Sequence, residues 1–421
     1  MTDQSPAIAS GRRALDTLCQ GGGAAWLRAR VTDVGDLPTV IERDEVDAAA
    51  DRLERFAPLL AALFPTSGWD GRVRSALQDY PTPDGYVRLV KADHALPLTG
   101  SVKARGGLHA VLRFLETVAT ERGLIDSGDS PVLLASPAAR QVLSDYTVLV
   151  ASTGNLGYSV GLLARGLGLA AEVHMSVEAK PWKKQQLRGL GATVIEHAAD
   201  YGETIARGRA AARGRDNTLF IDDENSRDLF TGYACAGREL CAQLEARGLK
   251  VTSSRPLVVY LPCGVGGAPG GIAYGLKSIL GAAVITVFVE PVASACMMAA
   301  LASGAEAPPS VYELGLDNRT IADGLAVPRA SALVVQAVGP VVDAVVAVSD
   351  ADMLDWIREV WRVGGLRLEP AAAAAFAALE PFRIAAQAAG WPLLEGAVHV
   401  LWATGGSRLP DVEFEALLRA P

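Results

Sequence analysis

A lysine placed where a helix begins is the residue from which chemistry can first be argued. Residues 98–107 read Leu-Thr-Gly-Ser-Val-Lys-Ala-Arg-Gly-Gly, a Thr-Gly-Ser loop running into a predicted helix with Lys103 in its first turn. Unpaired N–H groups and the positive end of the helix dipole disfavour the ammonium form there and suit a nearby phosphate or carboxylate. A solvated surface lysine is the plain alternative. Ser152, Thr153, Gly154 and Asn155 fall between an apolar run and another predicted helix. Small residues at that place present hydroxyls and N–H groups as an anion cradle, or merely cap the helix. Residues 262–271, Pro-Cys-Gly-Val-Gly-Gly-Ala-Pro-Gly-Gly, follow an apolar strand-like run. Glycines so placed let the backbone of Gly264, Val265, Gly266 and Gly267 wrap an anion with several donors. Thr404 ends the strand-like part of Val-Leu-Trp-Ala-Thr-Gly-Gly at 400–406, where its hydroxyl reaches a ring nitrogen or simply forms a turn.

The glycine loop matches neither common nucleotide pattern. It lacks the Gly-Lys-Ser/Thr of a P-loop, and the dinucleotide pattern from Gly264 and Gly266 calls for glycine where Pro269 stands. Glu290, about 20 residues on at the end of the next predicted strand, is the feature that suits a ribose-binding acid. Nicotinamide chemistry would leave Lys103 and the Ser152 stretch without a role. A lysine, a carboxylate cradle, a phosphate loop and a terminal hydroxyl together meet the needs of pyridoxal phosphate. They supply a Schiff-base amine, a hold on the phosphate, a hold on the substrate carboxylate and a partner for the pyridine nitrogen. A threonine at that nitrogen, unlike an acid, leaves the ring unprotonated.

Groups so far apart in sequence need a scaffold that brings them to one crevice. From residue 132 strand-like and helical runs alternate: 146–151, a helix from about 156, 171–177, a helix from about 181, 193–196, a helix over 203–213 and 219–222. A second series follows at 257–261, a helix from about 270, 284–289, 344–348 and 399–403, with Ser349 and Asp352 predicting a capped helix over 350–362. Alternation at this spacing predicts an α/β fold of two lobes with mostly parallel sheets, the ligand lying between them at the carboxyl ends of the strands. The expected layout is an N-terminal helical layer over 1–82, a large lobe from 83–103 and 224–421, and a small lobe over 104–223. The alanine run 371–375 predicts a buried helix.

Composition bounds the remaining classes. A chain of 421 residues, 50% hydrophobic and 20% charged, suits a globular enzyme of two lobes. The net charge of -8 argues against nucleic-acid binding, and no apolar run reaches the length of a membrane span. Lys180, Lys183 and Lys184, the nearest approach to a basic cluster, fit a solvated helix start. The first residues carry no secretory pattern and the five cysteines no paired spacing, so a cytoplasmic, reducing setting is expected.

A family likeness rests on TGSVKARGG around Lys103, STGNLG from Ser152, HMSVEAKPWKKQQLRGLGA from His174 and DDENSRDLF from Asp222. It continues in YLPCGVGGAPGG from Tyr260, ADGLAV from Ala322, LEP from Leu368 and WATGG from Trp402. From about residue 89 to 406 the chain resembles the D-serine dehydratase (D-serine ammonia-lyase) family, fold type II pyridoxal-phosphate enzymes of the tryptophan synthase β-like group. The lysine and STGN motifs mark the wider fold group, whereas the long stretches from His174 and Asp222 mark the family itself. The resemblance implies β-elimination on pyridoxal phosphate, turning D-serine into pyruvate and ammonia, with Lys103 forming the Schiff base. It implies that Ser152, Thr153, Gly154 and Asn155 bind the substrate carboxylate, and that Asn155 also faces the cofactor's phenolic oxygen. Gly264, Val265, Gly266 and Gly267 would donate to the phosphate, and Thr404 would meet the pyridine nitrogen. In this chain Ala268 replaces a glycine of the phosphate loop, and Ser407-Arg408 stand where a third glycine is more usual.

Lys103 is the default base for the Cα proton. The D configuration turns that proton to the opposite side, so Asp222, Asp223 and Thr153 are also candidates, with Asp223 expected at the substrate. An acid pair capping a turn at a strand end is the plain reading of Asp222 and Asp223. A monovalent cation, potassium or sodium, with Glu290, Ser294 and Cys296 as ligands is a further implication of the resemblance. The implied partner is a small amino acid, and the likeness is compatible with a monomer or small homo-oligomer. Two other readings stand beside this one. The first is another fold type II lyase or β-replacement enzyme acting on threonine, a β-substituted alanine or a diamino acid; the second is a non-catalytic sensor that has kept the pocket.

Overall fold

Runs such as Leu257–Pro262 and Val284–Pro291, rich in Val, Ile and Leu without alternation, form strands buried on both faces, the pattern of a parallel sheet covered by helices on both sides. A computed structural model of the chain describes residues 6–66, 68–81, 87–126, 128–152, 154–305, 307–391 and 396–420. The strands in chain order are β1 (Ala24–Leu27), β2 (Leu77–Asp79), β3 (Val87–Lys91), β4 (Thr147–Ala151), β5 (Ala170–Ser176) and β6 (Thr193–His197). They continue with β7 (Thr218–Ile221), β8 (Leu257–Pro262), β9 (Val284–Pro291), β10 (Ala344–Val348) and β11 (Val398–Trp402). They build a seven-stranded sheet of order β1-β10-β9-β8-β11-β3-β2 and a four-stranded sheet of order β6-β5-β4-β7. The small sheet is parallel throughout. In the large sheet only the two edge pairings, β1 with β10 and β2 with β3, are antiparallel.

The N-terminal region departs from the expected helical layer. The Arg43–Leu63 helix does pack across the Lys103–Glu121 and Arg227–Ala246 helices. Residues 1–82 also supply both edge strands of the large sheet, β1 and β2. Each edge strand spans only three or four residues, too few to show a period of two, so their pairing is set by tertiary contact rather than by local pattern. β3 was likewise not foreseen. Its Val-Arg-Leu-Val-Lys sequence carries two cations, and Lys91 is fully buried, its ammonium paired with Glu239 and donating to the Ser75 carbonyl at 2.8 Å.

The alanine run forms the Pro370–Ala377 helix, with every residue buried against the large sheet. Side chains this small let the helix lie close to β8, β9 and β11. That closeness matters for the crevice, because Glu369 and Ala371 end up in its wall.

Candidate active site

The crevice is built where β8, β11 and β4 end. β11 runs into Thr404, whose carbonyl accepts from Val102 N–H at 2.8 Å, and Ser101 forms a bridge with Gly405. This clasp sets the start of the Lys103–Glu121 helix beside the end of the strand, so Lys103 and Thr404 line one pocket. β8 delivers Gly264, Val265, Gly266 and Gly267 to the same pocket, and β4 delivers Ser152 and Asn155. Gly266 has φ of 106°, and a Cβ there would stand 2.7 Å from Met297 Cε, so only glycine fits. The Gly267–Leu280 helix starts at this point, and its first-turn N–H groups have no partner within the helix.

Most residues expected in the site converge, with differences in detail. Ser152 does cap a helix: its hydroxyl oxygen accepts from Gly154 N–H and Gly157 N–H, each at 3.0 Å, which leaves its own proton to donate. Thr153 lies outside the described residues. Asn155 turns its Nδ2 to Glu369 Oε1 at 2.9 Å. The two acids after β7 separate. Asp222 is held by Arg209 at 2.5 Å and caps Glu224 N–H at 3.0 Å, the plain turn-capping arrangement. Asp223 faces the pocket, with Oδ2 3.0 Å from Lys103 Nζ and 3.2 Å from the Tyr201 hydroxyl. Burial, and next the charge of Asp223, hold the Tyr201 phenol well above its usual range, so it stays a proton donor.

The three residues expected around a cation do not line this pocket. Both oxygens of Glu290 accept backbone N–H groups, from Met297 at 2.7 Å and Met298 at 2.9 Å. Burial outweighs those bonds and pushes its carboxyl up to about 8. Cys296 Sγ donates to the Gly264 carbonyl at 3.5 Å, behind the glycine loop, and the Ser294 hydroxyl donates to Asn318 Oδ1 at 2.8 Å. Among the described residues no three His, Cys, Asp or Glu side chains are grouped to hold a metal ion.

The two departures from the family pattern are accommodated. Ala268 stands in the first turn of the Gly267–Leu280 helix, where a methyl group is tolerated. Arg408 lies 3.0 Å over the Tyr158 ring and bonds Gln186, with burial lowering its guanidinium to about 10. The sequence carries no local sign of Tyr201 or Glu369, and the solvated reading of Lys183 and Lys184 is overturned. Both are buried, Lys184 against Glu196 and Lys183 against Asp323 at 2.7 Å, between the Pro181–Gly189 helix and the loop whose Gly324 and Leu325 line the pocket. The LEP, ADGLAV and WKK segments hold Glu369, Asp323 and Lys183, though nothing local assigns them a partner; Tyr201 lies in none of the family's segments.

Comparison with known proteins agrees with this geometry. Residues 79–395 match the family described as pyridoxal-phosphate dependent enzyme. The chain is 42% identical over 427 residues to a probable D-serine dehydratase of Rhizobium leguminosarum bv. trifolii, covering 96% of this chain and 97% of the relative. It is 43% identical over 415 residues to the D-serine dehydratase of Salmonella arizonae, covering 93% and 94%. Among solved structures it is similar in fold to Escherichia coli diaminopropionate ammonia lyase in complex with an aminoacrylate-PLP azomethine reaction intermediate. That similarity has a TM-score of 0.72 at 17% identity and covers 94% of this chain and 97% of the other. The processed form of threonine deaminase isoform 2 from Solanum lycopersicum gives a TM-score of 0.64 at 19% identity, covering 94% and 97%. By the extent of both the family match and the sequence identity, the chain belongs to the pyridoxal-phosphate dependent enzymes and, among them, to the D-serine dehydratase family.

Proposed function

We propose that the protein eliminates water from D-serine by pyridoxal-phosphate chemistry, yielding pyruvate and ammonia. The observation that carries the reading is the Lys103–Asp223 contact of 3.0 Å at the mouth of the glycine-lined pocket. The residues present suit the cofactor. Lys103 offers an amine, the Gly264 to Gly267 loop offers backbone donors at a helix start, and Thr404 offers a neutral hydroxyl. The Tyr233 ring lies 5.9 Å from Lys103 Nζ and backs the lysine.

Pyridoxal phosphate, when bound, supplies an electron sink that acidifies the proton on Cα. Lys103 would hold it covalently, and the glycine loop would hold its phosphate. The Ser152 hydroxyl and the turn around Asn155 would orient the substrate carboxylate. Lys103, Asp223 and Tyr201 form one hydrogen-bonded chain, so the proton taken from Cα can be returned to the departing β-hydroxyl, which leaves as water. The remaining enamine takes up water to give pyruvate and ammonia. A monovalent cation, potassium or sodium, would have to displace bonds its expected ligands already make: Glu290 with the Met297 and Met298 N–H groups, Ser294 with Asn318 and Cys296 with the Gly264 carbonyl. Equal activity in potassium and in a bulky organic cation would remove it.

The test is pyruvate formation from D-serine, L-serine, D-threonine and L-threonine separately, with the visible spectrum recorded before and after each addition. Fast pyruvate from D-serine alone is the expected result. A spectrum that shifts with an amino acid while no keto acid appears would move the function to β-replacement or ligand sensing.

A further inference from the structure

Glu369 has no part in the reading above, yet it stands in the pocket wall. It precedes the Pro370–Ala377 helix without capping it through its side chain, and it is 7% exposed. Its Oε1 accepts from Asn155 Nδ2 at 2.9 Å across 214 residues of chain, and its own N–H donates to the Gly405 carbonyl at 3.1 Å. A Cβ on Gly405 would collide with the same Oε1, so the glycine after Thr404 is required by the carboxylate's approach. Glu369 therefore ties the Asn155 helix to the turn that carries Thr404.

We propose that Glu369 is a positioning residue that fixes the side-chain amide of Asn155, so that Asn155 presents an N–H, and not its carbonyl oxygen, to the cofactor's phenolic oxygen. An asparagine amide fits a site in two orientations of nearly equal shape, which differ in where the donors lie. The acceptor at Oε1 selects the orientation with Nδ2 toward Glu369. The second hydrogen of that nitrogen is then left for the pocket. An N–H there stabilises the charged phenolate, whereas an amide oxygen would oppose it. Burial raises the Glu369 carboxyl, while Lys183, the Asn155 amide and Arg408 oppose that rise and Asp323 adds to it; in either protonation state Oε1 can accept. The inference rests on pyridoxal phosphate being the cofactor and not on which amino acid is consumed.

The test reads the absorption of the resting holoenzyme without substrate. Glu369→Met replaces the carboxylate with a thioether, only a weak acceptor, and is expected to keep its cofactor through gel filtration while absorption moves from the long-wavelength band of the charged phenolate to the near-ultraviolet band. Turnover should fall about tenfold, the size of one lost hydrogen bond. Glu369→Gln can still accept through its carbonyl and should restore the original spectrum. In an Asn155→Ala background Glu369→Met should change the spectrum no further, since the two act as one unit. An unchanged spectrum in Glu369→Met, an equal disturbance in Glu369→Gln, or simple addition of the two effects would each overturn the inference. Should Glu369→Met fail to fold, the paired Glu369→Gln and Asn155→Asp variant decides. The amide introduced by Glu369→Gln would then donate to position 155 and set a carboxylate oxygen before the cofactor, so a near-ultraviolet band is expected and the original band would refute the inference. A wild-type protein that binds pyridoxal phosphate yet makes no pyruvate from D-serine would overturn the proposed substrate and leave this test standing.

Discussion

The Lys103–Asp223 and Lys277–Asp343 pairs share their chemistry and differ in what surrounds them. Lys277 and Asp343 are both fully buried, and every hydrogen-bonding group is used. The ammonium donates to Asp343 at 2.9 Å, to the Thr32 carbonyl at 2.8 Å and to the Val284 carbonyl at 2.7 Å. Asp343 accepts in addition from the N–H and hydroxyl of both Thr32 and Thr286. Lys103 is 20% exposed at the pocket, and Asp223 is its hydrogen-bond partner among the described residues. A buried charge that is completely satisfied stitches elements together, here β9, β10 and the segment after β1. A charge left with spare donors in a crevice is available to react.

Two substitutions break that comparison most sharply. Lys103→Ala should lower turnover of D-serine by about 10⁴-fold or more, since the residue acts with its partners as a unit, and it should leave the urea midpoint nearly unchanged. Turnover at the normal rate would sink the assignment. Lys277→Met should do the reverse. It strands Asp343 in the interior and is expected to cost about 3–5 kcal/mol of stability in urea unfolding, with the folded fraction retaining its turnover. Loss of turnover without loss of stability in Lys277→Met would erase the distinction. Asp223→Asn sharpens the active half. It keeps the shape but not the charge beside Lys103, and a fall of about 10²-fold in kcat is expected, read in steady-state kinetics with D-serine.

How far the site could be read in the sequence follows the same division. The convergence of Lys103, the Gly264 to Gly267 loop and Thr404 on one pocket was legible because each is a particular residue type within a few positions of a helix start or strand end. The parallel core strands were legible as unbroken apolar runs. Glu369, Tyr201 and Lys183 were not, because each acquires its meaning from a partner far along the chain: Asn155, Asp223 and Asp323 respectively. Separation of Asp222 from Asp223 was equally hidden, since the residues are adjacent and alike until the turn sends one toward Arg209 and the other toward Lys103. The edge strands β1 and β2 were illegible for a plainer reason, being shorter than any period they could display.

The smallest effect concerns a titrating group on the helix that begins at Lys103. His109 lies in the Lys103–Glu121 helix, yet by its surroundings it is of the Lys277 kind. It is 1% exposed, its Nδ1 bonds the Asp228 carbonyl at 2.7 Å, and its Nε2 faces Arg52 Nη1 at 3.1 Å. A carbonyl at one nitrogen and a guanidinium at the other fit the neutral ring with its proton on Nδ1. Burial, helped by Arg52 and Arg113 and opposed by the Asp228 carbonyl and Glu116, lowers its pKa to about 4. The unfolded chain, with an ordinary imidazole near 6.5, then binds more protons than the folded one between those values. Stability from this residue is complete above about 6.5 and is lost as the pH falls through that window, by roughly 2 kcal/mol between pH 7 and 5. Urea unfolding at the two pH values should show the loss, and His109→Gln should reduce it while leaving the cofactor spectrum at neutral pH unchanged. If His109→Gln instead alters the spectrum and not the acid sensitivity, His109 belongs with Lys103, and satisfaction of hydrogen bonds is not what divides the reacting groups from the structural ones.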